Sequence, residues 1–188
     1  MVGMTGVGKS TVGEELAKLI GFGLWDIDKK IERAERRSIA QIFKEQGEDY
    51  FREQESAMIA SIKGVLNHVV VVGAGALENR TNLEALERLG YMIWLQADVS
   101  EIVRRFIMKP DELRARPLLQ DAVNIENKEE RSAFLRSKIE TFLERRKMFY
   151  AHAQEVLWTS YSTPESNAHL IKQRLISNAG VQLSDHSV

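Results

Sequence analysis

Apolar residues along the chain recur at helical spacing in some stretches and in short unbroken runs in others, and the two kinds alternate. Val12, Leu16, Leu19 and Ile20 share one face of a helix predicted over 10–20, with Gly21 as its stop. Phe22 to Trp25 is a short apolar strand running into Asp26-Ile27-Asp28. Ser38-Ile39-Ala40-Gln41 is a capping box for a short helix that Gly47 ends, and a longer helix carrying Phe51, Arg52 and Glu55 follows. Val69 to Val72 is a β-branched run halted by Gly73, the pattern of a strand buried on both faces. Thr81-Asn82-Leu83-Glu84 is expected to cap a helix carrying Leu83, Leu86 and Leu89. Tyr91 to Leu95 is a further strand, and Asp98-Val99-Ser100-Glu101 is expected to cap the helix after it. A long helix is predicted over 128–152 and a last strand near 156–158. Thr163 and Pro164 then open a C-terminal helix. Strands alternating with helices imply an α/β fold around a parallel sheet, as one domain over 1–177 with a disordered tail over 178–188.

One segment lacks any period. From Lys109 to about Asn127 the sequence is polar and broken by Pro110 and Pro117, and a stretch of that kind is expected to be a lid. Composition narrows the function classes further. The 26 Lys and Arg nearly balance 27 Asp and Glu, so no overall basicity points to nucleic acid. Cysteine is absent, which removes disulfide frameworks and thiolate metal sites. No apolar run reaches the roughly 20 residues of a membrane span. No membrane partner is expected, and the cytosol is the default location.

Candidate chemistry begins at Gly3-Met4-Thr5-Gly6-Val7-Gly8-Lys9-Ser10, a complete phosphate-binding loop of the form G-x-x-x-x-G-K-[ST]. Gly3, Thr5, Gly6, Val7, Gly8 and Thr11 would contribute backbone N–H groups to the phosphates of a nucleoside triphosphate, aided by the helix N-terminus. Lys9 would neutralise the β- and γ-phosphates and Ser10 would ligate Mg²⁺. Asp26 and Asp28, two apart at a strand end, would leave the same face, at the sheet edge where open parallel sheets bind ligands. One would help hold Mg²⁺ and the other would accept a hydroxyl proton, although a solvated turn with Asp28 as N-cap is the plainer reading of the pair alone. Arg52, Arg145 and Arg146 each read as surface helix charges in isolation. Arg114 and Arg116 flank a turn in the aperiodic segment, and one of them could swing over a triphosphate. Gly73-Ala74-Gly75, directly after a buried strand, offers open backbone donors.

Order and spacing say more than any one of these. The phosphate loop, Asp26/Asp28, Ser38-Ile-Ala-Gln-Ile-Phe43, Gly47-Glu48, Phe51-Arg-Glu-Gln-Glu55, Gly73-Ala-Gly75, Arg116-Pro-Leu-Leu119 and Arg146…Tyr150 together resemble the shikimate kinase family from Gly3 to about Ala153. The resemblance implies a nucleoside-monophosphate-kinase-like P-loop fold with sheet order 2-3-1-4-5. It implies ATP-dependent phosphorylation of the 3-hydroxyl of shikimate, a step of aromatic amino acid biosynthesis. Asp28 would then bind the acceptor hydroxyls and act as the base or orienting group, with Lys9 and Arg116 as the other catalytic groups. Arg52 and Arg146 would clamp the shikimate carboxylate, and Gly73, Ala74 and Gly75 would donate to the substrate. Arg116 would also cover ATP as the lid arginine, Asp26 with Ser10 would hold Mg²⁺, and Ser162-Thr163-Pro164 would lie at the adenine. A monomer is the family-like expectation.

The sequence departs from the family pattern in three places. Ala74 stands where three consecutive glycines are usual, adding a methyl at a site that a positive φ or a close substrate would not tolerate. Met108-Lys109-Pro110-Asp111 stands where a Gly-rich hinge is usual. Only Met1 and Val2 precede the loop, so the family's first, central strand is largely missing. The expectation is that the natural protein carries apolar residues before Met1, or that this chain folds poorly. Two other readings stand beside the leading one: a related kinase of another small hydroxy acid, and a catalytically silent nucleotide-binding regulatory domain.

Overall fold

The computed structural model describes residues 1–178. Apart from Asn178, the tail predicted for 178–188 lies outside the described residues. Helix α1 (Lys9–Ile20) is closed by Gly21 in the left-handed region at φ 68° and leads into β1 (Gly23–Asp26) and α2 (Ile27–Glu35). Helix α3 (Ile39–Ala60) opens on the Ser38/Gln41 capping box and breaks at Gly47, where φ 86° and ψ 174° leave the helical region as the sequence predicts. Strand β2 (His68–Val71) is followed by a 3₁₀ turn, Ala76–Glu78, and by α4 (Arg80–Leu89), β3 (Ile93–Gln96) and α5 (Val99–Met108). Then come α6 (Pro110–Arg114), a 3₁₀ turn over Pro117–Asn124, α7 (Lys128–Tyr150), β4 (Glu155–Trp158) and α8 (Pro164–Asn178).

Two expected caps are corrected. Helix α4 is capped by Asn79, whose side chain accepts from the Thr81 N–H at 2.9 Å and the Asn82 N–H at 3.3 Å. Thr81 already lies inside the helix, and Asn at an extended residue is as good a cap. Asp98 occupies the N-cap position of α5 but makes no side-chain cap bond. Glu101 is committed instead to Arg104 and Arg105, and such charge-assisted bonds are stronger than a neutral cap. The segment 109–127 is also more ordered than its composition suggests. Pro110 and Pro117 each start a helical turn, and Leu113, Leu119 and Ala122 are buried.

Strand β1 pairs with β2 in parallel, Gly23 opposite His68 through Asp26 opposite Val71. Strand β3 pairs likewise with β4, Ile93 opposite Glu155 through Gln96 opposite Trp158. Met1 and Val2 lie between these pairs and bond to both. The Met1 amine donates to the Val70 carbonyl and the Val72 N–H to the Met1 carbonyl, while Val2 exchanges bonds of 2.9 Å with Ile93 and Leu95 on the other side. The order is thus β1, β2, the Met1–Val2 stitch, β3, β4, with these two residues in the middle position that the resemblance implies for a first strand. Beside the stitch lies an apolar cavity of about 220 Å³ walled by Leu16, Ile20, Val69, Leu86 and Ile93. Helix α1 packs on β1 and β2 and against α8, and α5 packs with α7. The carboxyl ends of all strands point to one edge, where the loop 3–8, Asp26, Gly73 and Thr159 gather.

Candidate active site

The phosphate loop owes its shape to three glycines with positive φ: Gly3 at 135°, Gly6 at 80° and Gly8 at 96°. Space demands glycine too, since a Cβ on Gly3 would lie 2.3 Å from the Leu95 carbonyl oxygen and one on Gly6 2.9 Å from Ile102 and Phe106. Side chains tie the loop down from behind. Arg105 donates to the Gly6 carbonyl at 3.2 Å and to the Thr159 carbonyl at 3.1 Å, and Thr159 Oγ1 donates to the Val7 carbonyl at 3.0 Å. Glu101 anchors Arg105, and hydrogen bonds led by Arg104 hold its carboxyl down at about 2. In front of the loop, Lys9 Nζ donates to the carbonyls of Gly3 at 2.7 Å and Met4 at 3.0 Å. Burial, reinforced by the charge of Arg116, lowers the Lys9 ammonium to about 8. Gly8 caps α1 without a side-chain bond, so the first N–H groups of that helix open on a cavity of about 430 Å³ lined by Lys9, Ser10, Thr11, Arg105 and Arg116. Ser162 and Pro164 line the same cavity, where the resemblance puts the adenine.

Asp26 and Asp28 do not share a strand face as expected, because Asp28 already lies in the first turn of α2. Asp26 ends β1 and caps that helix, accepting from the Lys29 N–H at 3.2 Å, so the capping role goes to Asp26 and leaves Asp28 free of it. Helix geometry still brings the two together, for each electrostatically perturbs Lys9. Burial pushes the Asp28 carboxyl up from its ordinary value, partly offset by Arg116, whose Nη1 stands 3.7 Å from Asp28 Oδ2. Arg114 does not reach the site: it is exposed and pairs with Asp111 at 2.8 Å.

A second cavity adjoins the first, with Asp28, Arg52, Arg146, Gly73, Ala74 and Gly75 in its wall. Arg146 is not a surface charge; only 2% of its side chain is exposed, and its Nε donates to Glu78 Oε1 at 2.7 Å. Arg145 takes the other oxygen of Glu78 and stays half exposed. Arg52 donates to the buried Glu55 at 2.7 Å and to Glu48 at 2.9 Å. Glycine at 73 and 75 leaves room for the charged side chains: a Cβ on Gly73 would lie 2.2 Å from Glu55 Oε1 and one on Gly75 2.7 Å from Arg52 Nη2, so each would displace its neighbour. Ala74 has no positive φ, so its methyl is accommodated without strain, and its carbonyl accepts from the Tyr150 hydroxyl.

Among the described residues, the buried polar side-chain atoms without partners include Thr5 Oγ1, Asp26 Oδ2, Asp28 Oδ1, Glu55 Oε1, Arg116 Nε and Arg146 Nη2. All six belong to this edge of the sheet, and buried polar atoms left unpaired call for a ligand or a function. Sequence reasoning did not assign roles to Glu55, Glu78, Tyr150, Arg105 or Thr159. Glu55 and Tyr150 stood at the ends of recognised motifs, three residues from Arg52 and four from Arg146. Glu78, Arg105 and Thr159 carried no signal, because their partners are distant in sequence.

Known proteins resemble this chain in sequence and fold. The family model described as shikimate kinase matches residues 5–176. A shikimate kinase of Chloroherpeton thalassium is 38% identical over 165 residues, covering 87% of this chain and 83% of that protein. One of Clostridium botulinum, strain Loch Maree, is 40% identical over 121 residues, covering 64% of this chain and 70% of the relative. Among solved structures, shikimate kinase from Acinetobacter baumannii in complex with shikimate superposes with a TM-score of 0.81 at 30% identity. That match covers 94% of this chain and 91% of that one. Shikimate kinase from Bacteroides thetaiotaomicron gives 0.76 at 26% identity, covering 93% and 96%.

Proposed function

Because the chain belongs to the shikimate kinase family, we propose that it transfers the γ-phosphoryl group of ATP to the 3-hydroxyl of shikimate, with each residue at the sheet edge in a defined role. One observation carries this reading: two arginines, Arg52 and Arg146, line the cavity that shares Asp28 and Arg116 with the phosphate-loop cavity. A guanidinium pair suits a carboxylate, and a carboxylate base suits the hydroxyl beside it.

Lys9 and the N–H groups of Gly6, Gly8, Ser10 and Thr11 hold the triphosphate, and Arg116 covers it from the lid segment 109–127. Asp28 orients the 3-hydroxyl and takes its proton as the oxygen attacks the γ-phosphorus. The bond from that phosphorus to the β-phosphate oxygen breaks and ADP leaves. Arg52 and Arg146 fix the far end of the acceptor through its carboxylate, and Glu55 and Glu78 aim those guanidiniums. Gly73 to Gly75 floor the acceptor cavity.

Asp26 Oδ2, buried and unpaired near Lys9, and the Ser10 hydroxyl at the start of α1 fit a hard divalent cation with oxygen ligands. Mg²⁺ there would neutralise developing charge on the phosphates. A monomeric, cytosolic enzyme accords with the family, and no helix among the described residues is long and apolar enough to cross a membrane.

ADP release coupled to a dye-linked assay, with shikimate and close hydroxy-acid analogues as acceptors, tests the reading. Shikimate-dependent turnover that exceeds turnover with every analogue supports it. No turnover with shikimate, or preference for another acid, overturns it.

A further inference from the structure

Four residues stand in the walls of both cavities: Thr5, Asp28, Ala74 and Arg116. They therefore mark the junction through which a phosphoryl group must pass from donor to acceptor. Asp28 and Arg116 carry the charges expected there, and Ala74 contributes backbone and a methyl. Thr5 is the remaining member, and its hydroxyl is buried without any hydrogen-bond partner. A buried hydroxyl left unpaired is unfavourable unless it meets a polar group during function.

We propose that the Thr5 side chain is a catalytic residue, its hydroxyl donating a hydrogen bond to an equatorial oxygen of the phosphoryl group in transit. This rests on the kinase reading above and adds a role for the side chain beyond the backbone of the loop. The hydroxyl keeps its proton throughout. The proton released by the acceptor goes to Asp28 and the bonding pair of the broken P–O bond leaves with ADP, so the Thr5 contact changes no bond count. Its use lies in placement. The loop on either side of Thr5 is pinned, before it by Lys9 on the carbonyls of Gly3 and Met4, after it by Arg105 on Gly6 and Thr159 on Val7. The β-branched side chain has few rotamers, which restricts the directions the hydroxyl can take.

Thr5→Val removes the hydroxyl at nearly constant shape, and Thr5→Ser keeps it. Each is compared with the unaltered protein for kcat, for KM of shikimate and for the dissociation constant of ATP by equilibrium titration. The expected result for Thr5→Val is a loss in kcat of about 100-fold, the lower end of the range for one transition-state donor. Both substrate affinities should stay within about three-fold, and Thr5→Ser should recover kcat to within about three-fold of the original. Unchanged kcat in Thr5→Val, a parallel fall in ATP affinity, or equal loss in the Ser variant overturns the proposal. Absence of shikimate-dependent turnover by the unaltered protein overturns the acceptor assignment instead. Slow transfer from ATP to water crosses the same junction without shikimate, so it tests Thr5 separately from the acceptor. There too Thr5→Val should be slower and Thr5→Ser should match the unaltered protein, and equal rates in all three overturn the role of Thr5.

Discussion

Glu78 Oε1 accepts from Arg146 Nε at 2.7 Å, joining a turn after β2 to the long helix α7. Burial alone would raise the Glu78 carboxyl, but the hydrogen bond from Arg146 and the charges of Arg146 and Arg145 bring it below its ordinary value. The guanidinium is thus held by a fixed anion on one edge while Nη2 stays unpaired for a ligand. Glu78→Gln keeps the shape and removes the charge. The shikimate KM should rise about 10-fold, in line with losing about 1.4 kcal/mol of a charge-assisted bond, with the ATP KM unchanged. Steady-state kinetics with each substrate varied in turn checks this.

Asp28→Asn should abolish turnover by about 10³-fold or more while ATP binding stays within a few-fold, because a carboxamide accepts no proton. Stability should move the other way. The folded carboxyl is raised above 3.8, so its contribution to stability is full below that value and is lost as pH rises through the folded pKa. At pH 7.5, above the ordinary carboxylate range, the partly buried Asp28 carboxyl favours the unfolded chain, and the Asn variant should melt about 2–4 °C higher. Melting curves at pH 7.5 and 4 should show that advantage shrinking in acid.

Lys9, lowered to about 8, loses its proton in the free protein as pH rises past that value. A bound triphosphate favours the charged form, so ATP binding at pH 9 should take up close to one proton and weaken with further rise in pH. Calorimetry in buffers of different ionisation heat measures the uptake directly. In Lys9→Met it should vanish.

The 73–75 turn allows a paired test. Gly75→Ala would place a methyl 2.7 Å from Arg52 Nη2 and should raise the shikimate KM about 10-fold or more. Ala74→Gly should change it less than about three-fold, since Ala74 sits in ordinary backbone conformation and offers its carbonyl to Tyr150. A larger effect at 74 than at 75 would contradict the steric account.

The apolar cavity beside Met1 and Val2 gives a stability test independent of activity. Extending the chain before Met1 by four residues of strand-forming, β-branched character should fill that space and pair with β2 and β3. The melting temperature should rise by several degrees for each about 1 kcal/mol gained. An extension of Gly and Ser at equal length should not do so.

Much of the fold is legible from local pattern. The phosphate loop, the stop at Gly21, the break at Gly47 and the strand ended by Gly73 follow from glycine chemistry and hydrophobic period, which neighbours in sequence determine. Asp28, Arg52, Arg116 and Arg146 gain meaning only from their order along the chain, since each alone resembles a surface charge. What sequence could not supply were the partners across the fold. Asn79 displaces Thr81 as a cap because backbone dihedrals decide which residue is last outside the helix. Glu78 and the tie of Arg105 and Thr159 to the loop depend on strands meeting at one edge, a long-range fact without local trace. The 109–127 segment looks structureless in sequence because its few buried leucines have no period, yet two prolines start its turns.

The Met1–Val2 stitch has a consequence for chemistry as well as for folding. The acceptor cavity takes its wall from the turn after β2 and from α2, α3 and α7, while the phosphate loop runs straight on from Met1 and Val2. The register of Met1 against β2 therefore sets where the phosphate loop stands relative to the 73–75 turn. A slip of one residue there would displace donor from acceptor by about 3.3 Å, roughly the whole separation of reacting atoms. The spacing between the phosphate loop and the 73–75 turn is thus held by a handful of backbone hydrogen bonds beneath the site.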